Sequence, residues 1–167
     1  MKEYYDALLN YDELYGQEQI VKRDKLVFLF EKHGIDFKNK NILDVGCGTG
    51  IASFSSAVGV DPSETLIEIN KQFGRNKEVY IGYAEDLPFP DNAFDIVISM
   101  TAMHNFEDIE KSIREMLRVG KEWFGFSILK RINTQKEENI FKLINKYFNI
   151  IDEVEDEKDF IMLCKRL

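Results

Sequence analysis

The chain has 167 residues, enough for one compact core and too few for two full domains. Its 30 acidic residues outnumber 22 lysines and arginines, a formal charge of −8, which excludes a global positive field that would gather nucleic acid. Cys47 and Cys164 make neither a disulfide framework nor a zinc spacing, and Met1 to Asn10 is not a basic-then-apolar leader. A reducing, cytoplasmic setting without export or membrane insertion is therefore expected.

One domain over 1–167 is expected, with a helical region at 1–37, a central core at 40–130 and a terminal β-hairpin at 148–166. Leu14, Val21 and Phe28 recur every seven residues, with Val27 and Phe30 widening the stripe, so Tyr11 to His33 reads as a helix facing the core. Asn41 to Val45 and Val58 to Val60 are short apolar runs that stop at Gly46 and Asp61, as strands covered on both faces do. A helix then carries Leu66, Ile69 and Phe73 on one face and ends at Gly74. Strands are predicted at Glu78 to Gly82, Phe94 to Ser99 and Glu122 to Leu129. A helix capped by Asn105 lies between the last two. Thr134 and Glu137 make a capping box for a final helix, and Asn149 to Val154 and Asp159 to Lys165 pair as an antiparallel hairpin. The fold class is α/β: a Rossmann-like, doubly wound, mostly parallel seven-stranded sheet with helices on both faces, binding ligands beyond the carboxyl ends of its strands.

Gly46, Cys47, Gly48, Thr49 and Gly50 follow directly on the first strand and are expected to open a short helix, where the backbone must turn sharply and admit a ligand at contact distance. A dinucleotide fingerprint needs its third glycine at position 51, which is Ile51, and no Gly-Lys-Ser/Thr follows for a P-loop. Asp61, ending the second strand, can accept from both hydroxyls of a ribose; Asp61-Pro62-Ser63-Glu64 equally reads as a helix cap. At the same edge Ala84, Glu85, Asp86 and Leu87 offer a small residue that admits an adenine and a carboxylate to accept from its amine.

In order, residues 42–50 (ILDVGCGTG), 59–63 (GVDPS), 84–90 (AEDLPFP) and 92–99 (NAFDIVIS) resemble the successive motifs of class I S-adenosylmethionine-dependent methyltransferases, in the group that includes ubiquinone and menaquinone biosynthesis enzymes. The resemblance spans roughly residues 40–130. It implies S-adenosylmethionine as cofactor, S-adenosylhomocysteine as product, Gly46 and Gly48 under the methionine part, Asp61 on the ribose and Glu85-Asp86-Leu87 beside the adenine. It also implies that Tyr11 and Tyr15 fold over the cofactor; Asp44, Cys47, Gly50, Pro62, Ser99 and Met100 complete the strand-end set.

Only 13 positions separate Gly48 from Asp61, so the intervening helix must be very short. The four residues Lys130 to Asn133 leave no room for a substrate-covering insertion, so an open site is expected, with the N-terminal helical region as lid or a partner covering it. Methyl transfer is a direct displacement that requires alignment and exclusion of water rather than a covalent residue. His104, just past the fourth strand, is the candidate general base, against a plain structural role beside a helix cap. Ser99-Met100-Thr101-Ala102 stands where an Asn/Asp-Pro-Pro-Tyr/Phe signature for exocyclic amines would be. The acceptor stays open between small molecule, protein and RNA, with Lys22-Arg23-Asp24-Lys25 and Lys71 to Lys77 as basic tracts. A non-catalytic subunit that binds the same cofactor is the alternative.

Overall fold

The computed structural model describes residues 10–130 and 134–167, apart from the side chain of Tyr11. Helix α1 (Tyr11–Lys32) leads through a 3-10 turn (Phe37–Asn39) into β1 (Ile42–Val45). Then come β2 (Val58–Asp61), α2 (Glu64–Phe73), β3 (Glu78–Ile81), β4 (Phe94–Met100), α3 (Ile109–Val119), β5 (Gly120–Leu129), α4 (Thr134–Tyr147), β6 (Phe148–Glu155) and β7 (Asp159–Arg166). They form one seven-stranded sheet in the order β3-β2-β1-β4-β5-β7-β6. Every contact from β3 to β5 is parallel, and β7 inserts antiparallel between β5 and β6. The expected architecture and terminal hairpin are thus present. The order reverses at β1, whose neighbours are β2 and β4, and such a reversal opens a crevice outside the strand carboxyl ends.

Strand alternation sorts the core into two layers. Leu43, Val45, Val97, Phe124 and Phe126 face α3 and α4, meeting Ile113, Met116, Ile140 and Ile144. Ile42, Ile96, Ile98, Ile161 and Leu163 face the other way, against Leu26, Leu29 and Phe30 of α1 and the ring cluster Phe30, Phe37 and Phe54. Gly125 lets α1 approach, because a Cβ there would stand 2.7 Å from Leu26.

Several local expectations change. The heptad stripe does not face the core: Leu14, Val21 and Phe28 are exposed, while Gly16, Gln19, Lys22, Leu26, Leu29 and Phe30 turn inward. Their wall is polar at one end because it borders a cavity rather than the hydrophobic layer. On α2 the buried positions are Ile67 and Asn70, and Phe73 is exposed, its ring under the Arg75 guanidinium. Ser63, not Asp61, caps α2 through its hydroxyl, which accepts from Leu66 N at 3.3 Å. Asp108, not Asn105, caps α3 by accepting from Lys111 N at 2.9 Å; Asn105 closes a 3-10 turn (Met103–Asn105). Thr134 is already the first residue of α4, and residues 131–133 before it lie outside those described.

The largest departure is that no helix follows the glycine loop. Between β1 and β2 the chain runs through consecutive turns, with Gly50 N donating to Cys47 O, Ser53 N to Gly50 O and Ala57 N to Phe54 O. Backbone groups that a helix would satisfy internally need other partners. Asn76 partners two, its amide lying 3.3 Å from Phe54 O and 3.4 Å from Ala57 O, and also donates to the Ser53 hydroxyl at 2.7 Å. Asn70, 1 % exposed, donates to Gly48 O at 3.3 Å and to Asn76 Oδ1 at 2.7 Å.

Candidate active site

The crevice at the switch point is a cavity of about 520 Å³ floored by the glycine loop. Gly46 and Cys47 both donate to Val60 O, at 2.8 and 3.1 Å, folding the loop back over the end of β2. Gly46 has φ +76°, and a Cβ there would lie 2.5 Å from the Cβ of Ala102, so only glycine fits. Asp61 suspends the loop. One carboxylate oxygen accepts from Gly48 N and the other from Ser63 N, each at 2.9 Å, an arrangement that presents the remaining lone pairs to the cavity it lines. Burial raises its pKa against the pull of these two amides.

Asp44 is the most strained electrostatic group of the site. It is 2 % exposed and its Oδ1 has no hydrogen-bond partner, although it lines the cavity. Burial, with Asp61 adding like charge and Ser53 opposing, pushes its carboxyl up to about 7. A buried, unpartnered acceptor on a cavity wall fits a ligand that brings a cation.

Helix α1 forms one side of the cavity and is tied at two points. Asp12 accepts from Thr49 Oγ1 at 2.7 Å and from Arg75 Nη1 at 2.5 Å, and Arg75 also donates to Thr49 O. Farther along α1, Lys22, 1 % exposed, lies 2.8 Å from both Glu18 and the fully buried Asp159. Its contact with Asp159 Oδ1 is an ion pair by distance without hydrogen-bond alignment, and its ammonium also reaches Thr101 Oγ1 at 3.4 Å. Thr101 lines the cavity just past β4 with φ +53°, an uncommon conformation for a β-branched residue. Its hydroxyl bonds Ser127 at 2.7 Å and Asp159 at 3.0 Å, and its N–H donates to Ser127 O.

Residues 43–122 match the model of a family described as a methyltransferase domain. That stretch is a methyltransferase domain, and the chain has the fold of the class I S-adenosylmethionine-dependent methyltransferases. An uncharacterised methyltransferase of Bacillus subtilis, YcgJ, is 31 % identical over 121 residues, covering 66 % of this chain and 48 % of YcgJ. The chain thus spans about half the length of the curated relatives it matches. Among solved structures, a Pyrococcus horikoshii protein superposes with a TM-score of 0.78 at 23 % identity, each chain covered in full. Magnesium protoporphyrin IX methyltransferase of Synechocystis, solved with bound S-adenosylmethionine, has a TM-score of 0.70 at 18 % identity, over 90 % of this chain and 80 % of that one.

In this methyltransferase domain Asp44, Gly46, Cys47, Gly48, Asp61, Pro62, Ala84, Glu85 and Met100 all line the cavity. Glu85 is partly committed, because one of its oxygens accepts from the amides of Glu107 and Asp108 just before α3. Gly50, Tyr15, Asp86, Leu87, Ser99 and His104 are not among the lining residues. Gly50 turns the loop at φ +76°, packed against Asn70. Leu87 N donates to Glu115 and its side chain is in the core; Ser99, fully buried, donates to Val45 O and so braces β1 against β4. Tyr15 lies exposed on α1, and the side chain of Tyr11 is outside those described. His104 is half-buried beyond Thr101, and desolvation, aided by Lys136 and opposed by Asp159, lowers its pKa, so its ring is neutral at pH 7. Burial holds the Cys47 thiol far above its ordinary range, leaving it a small apolar spacer.

Sequence reading placed Thr49 in the ligand-admitting loop but did not find Gln19, Tyr83, Thr101 or Phe106 on the wall. Gln19 carried a signal of position only: it stands three residues after Gly16, whose added Cβ would lie 2.8 Å from Ile51 Cδ1, marking where α1 crosses closest to the loop.

Proposed function

We propose that this protein transfers the methyl group of S-adenosylmethionine to a nucleophilic acceptor. The observation that carries the reading is the cavity itself: a glycine floor that a Cβ would fill, beside the orphan carboxylate Asp44. The sulfonium donor presents its methyl to in-line attack; a C–S bond breaks, its electron pair stays on sulfur, and a bond to the acceptor forms. Asp44 accepts from the ammonium of the donor's amino-acid end. Asp61 receives the ribose hydroxyls, with its loop contacts fixing its orientation. Ala84 and Glu85 border the adenine side. Thr101 and Ala102 wall the side from which the acceptor approaches; His104 lies just beyond this wall, outside the cavity lining, and its lowered pKa suits it to take a proton from an N–H or O–H acceptor that reaches it. Alignment and exclusion of water account for the rate, as a displacement with a built-in leaving group requires. Binding of S-adenosylmethionine by the Synechocystis neighbour supports the donor assignment.

Calorimetry with S-adenosylmethionine and S-adenosylhomocysteine tests the site, and failure to bind either form overturns the proposal. Transfer of a tritiated methyl group into cell extract, fractionated into protein, RNA and small molecules, identifies the acceptor class. Binding without transfer into any fraction would instead establish a cofactor-binding subunit. With the acceptor in hand, His104→Ala with unchanged turnover removes the base from the mechanism.

A further inference from the structure

Resting on the methyl-transfer reading, the structure assigns the buried pair Lys22–Asp159 as a positioning device for Thr101, which aligns the acceptor wall with the glycine floor. Lys22 on α1 is 1 % exposed, and Asp159, the first residue of β7, is fully buried. Such a pair adds little to the stability of a fold. The hydration lost by both ions offsets their attraction, and apolar side chains of similar volume serve a core as well or better. A use other than stability is therefore to be sought in what the two charges touch.

Both reach Thr101. Its hydroxyl has one proton, which goes to Asp159 Oδ2 at 3.0 Å because a carboxylate only accepts. Ser127 then donates to Thr101 Oγ1 at 2.7 Å, and the Lys22 ammonium approaches the same oxygen at 3.4 Å. With the Thr101 N–H on Ser127 O, contacts from α1, β5 and β7 converge on one residue. That residue needs them, since a β-branched side chain at φ +53° is strained, and strain persists only where the surroundings over-determine it. The strained residue lies between the two halves of the site. Thr101 lines the cavity just past β4, and Ala102 after it abuts the glycine floor, where a Cβ on Gly46 would lie 2.5 Å from the Cβ of Ala102. The conformation of Thr101 thus sets how the acceptor wall stands over the floor. Lys22 and Asp159 do not line the cavity themselves and so act through Thr101. In a direct displacement a misplacement of about 1 Å costs about a hundredfold in rate, which makes such a brace worth its electrostatic burden.

The double substitution Lys22→Met/Asp159→Leu removes both charges and strands neither neighbour, because Glu18 keeps Lys158 at 2.5 Å and Thr101 keeps Ser127. Thermal melting, calorimetry with S-adenosylhomocysteine, and transfer of a tritiated methyl group into cell extract at varied S-adenosylmethionine are measured on the full chain. Melting is expected within about 3 °C of wild type or above it, with product affinity within about threefold. Maximal transfer should fall about ten- to a hundredfold at an unchanged half-saturating donor concentration. Thr101→Ser, which keeps the hydroxyl, should retain most of the transfer, and Thr101→Val, of the same shape without it, should show the loss of the double variant. A double variant that transfers at the wild-type rate overturns the assignment. So does one whose melting temperature and product affinity fall together with transfer, since the pair would then serve the fold. A wild type that binds no product, or binds it and transfers nothing, defeats the proposed function itself, a result visible before any variant is compared.

Discussion

Replacing Asp44 by asparagine separates folding from binding, because the same carboxylate burdens the empty protein and serves the ligand. In the folded chain its carboxyl titrates at about 7, against an ordinary value of 3.8. The folded state therefore binds more protons than the unfolded state between these values, and stability is greatest below the lower one and falls as pH rises through the upper one. Some three units correspond to about 4 kcal/mol of destabilisation at pH 8 and roughly 2 kcal/mol at pH 5. The substituted asparagine has the same shape without the charge, and leaving its amide partly unsatisfied returns about 1–3 kcal/mol of that gain. The expected outcome is a ligand-free variant about 1–3 kcal/mol more stable than wild type at pH 8, with that advantage about 2 kcal/mol smaller at pH 5.

Urea unfolding at both pH values, with and without S-adenosylhomocysteine, measures this directly. The product should stabilise wild type strongly at pH 8 and the variant weakly, since its ammonium has lost its charged partner. In wild type, affinity should fall as pH drops below about 7, where Asp44 takes up a proton that the ligand must displace. A variant no more stable than wild type at pH 8, or an advantage independent of pH, would refute the view that Asp44 is a buried carboxylate with an unpartnered oxygen.

Gly46→Ala should abolish ligand binding in a protein that still folds, since the added methyl meets Ala102 and the +76° backbone costs a further ~1–2 kcal/mol; titration against circular dichroism shows both. Asn70→Ala removes the tether on Gly48 O and the support of Asn76, and thermal melts should show a loss of about 2–3 kcal/mol with weaker product binding. Lys22→Met strands the buried Asp159, and about 3–5 kcal/mol should be lost in the same melts; a loss below about 1 kcal/mol would mean that Glu18 and Thr101 do not need it.

The first two strands were legible because each is a short apolar run cut off by a glycine or an aspartate: Val45 before Gly46, Val60 before Asp61. The floor of the site was legible for the same reason, since Gly46, Gly48 and Asp61 stand where the strands stop. Alpha-helical faces were less so. Leu14, Val21 and Phe28 form a clean seven-residue stripe yet point outward, because the face that packs on the sheet carries the fully buried Leu26, Leu29 and Phe30, with Lys22 paired to a buried aspartate. Periodicity reports which residues share a face and says nothing about which face is inside. Leu87 lies in the loop after β3 and Ser99 near the end of β4, but their side chains were drawn into the core and into a strand-bracing hydrogen bond.

The missing helix after Gly50 shows how the site acquires its rigidity. In a loop followed by a helix, local hydrogen bonds hold the turn. Here the ties come from Asn70 on α2, from Arg75 and Asn76 just after it, and from Asp12 on α1, 22 to 37 positions away in sequence. Their chemistry is suited to the task, because a carboxamide both donates and accepts and so satisfies carbonyls and hydroxyls that no backbone neighbour reaches. The consequence is that the glycine floor cannot take its final shape until both α1 and α2 have packed against it. Ligand affinity should then track the packing of those two helices, and substitutions far from the cavity on their inner faces should weaken binding without touching the ligand.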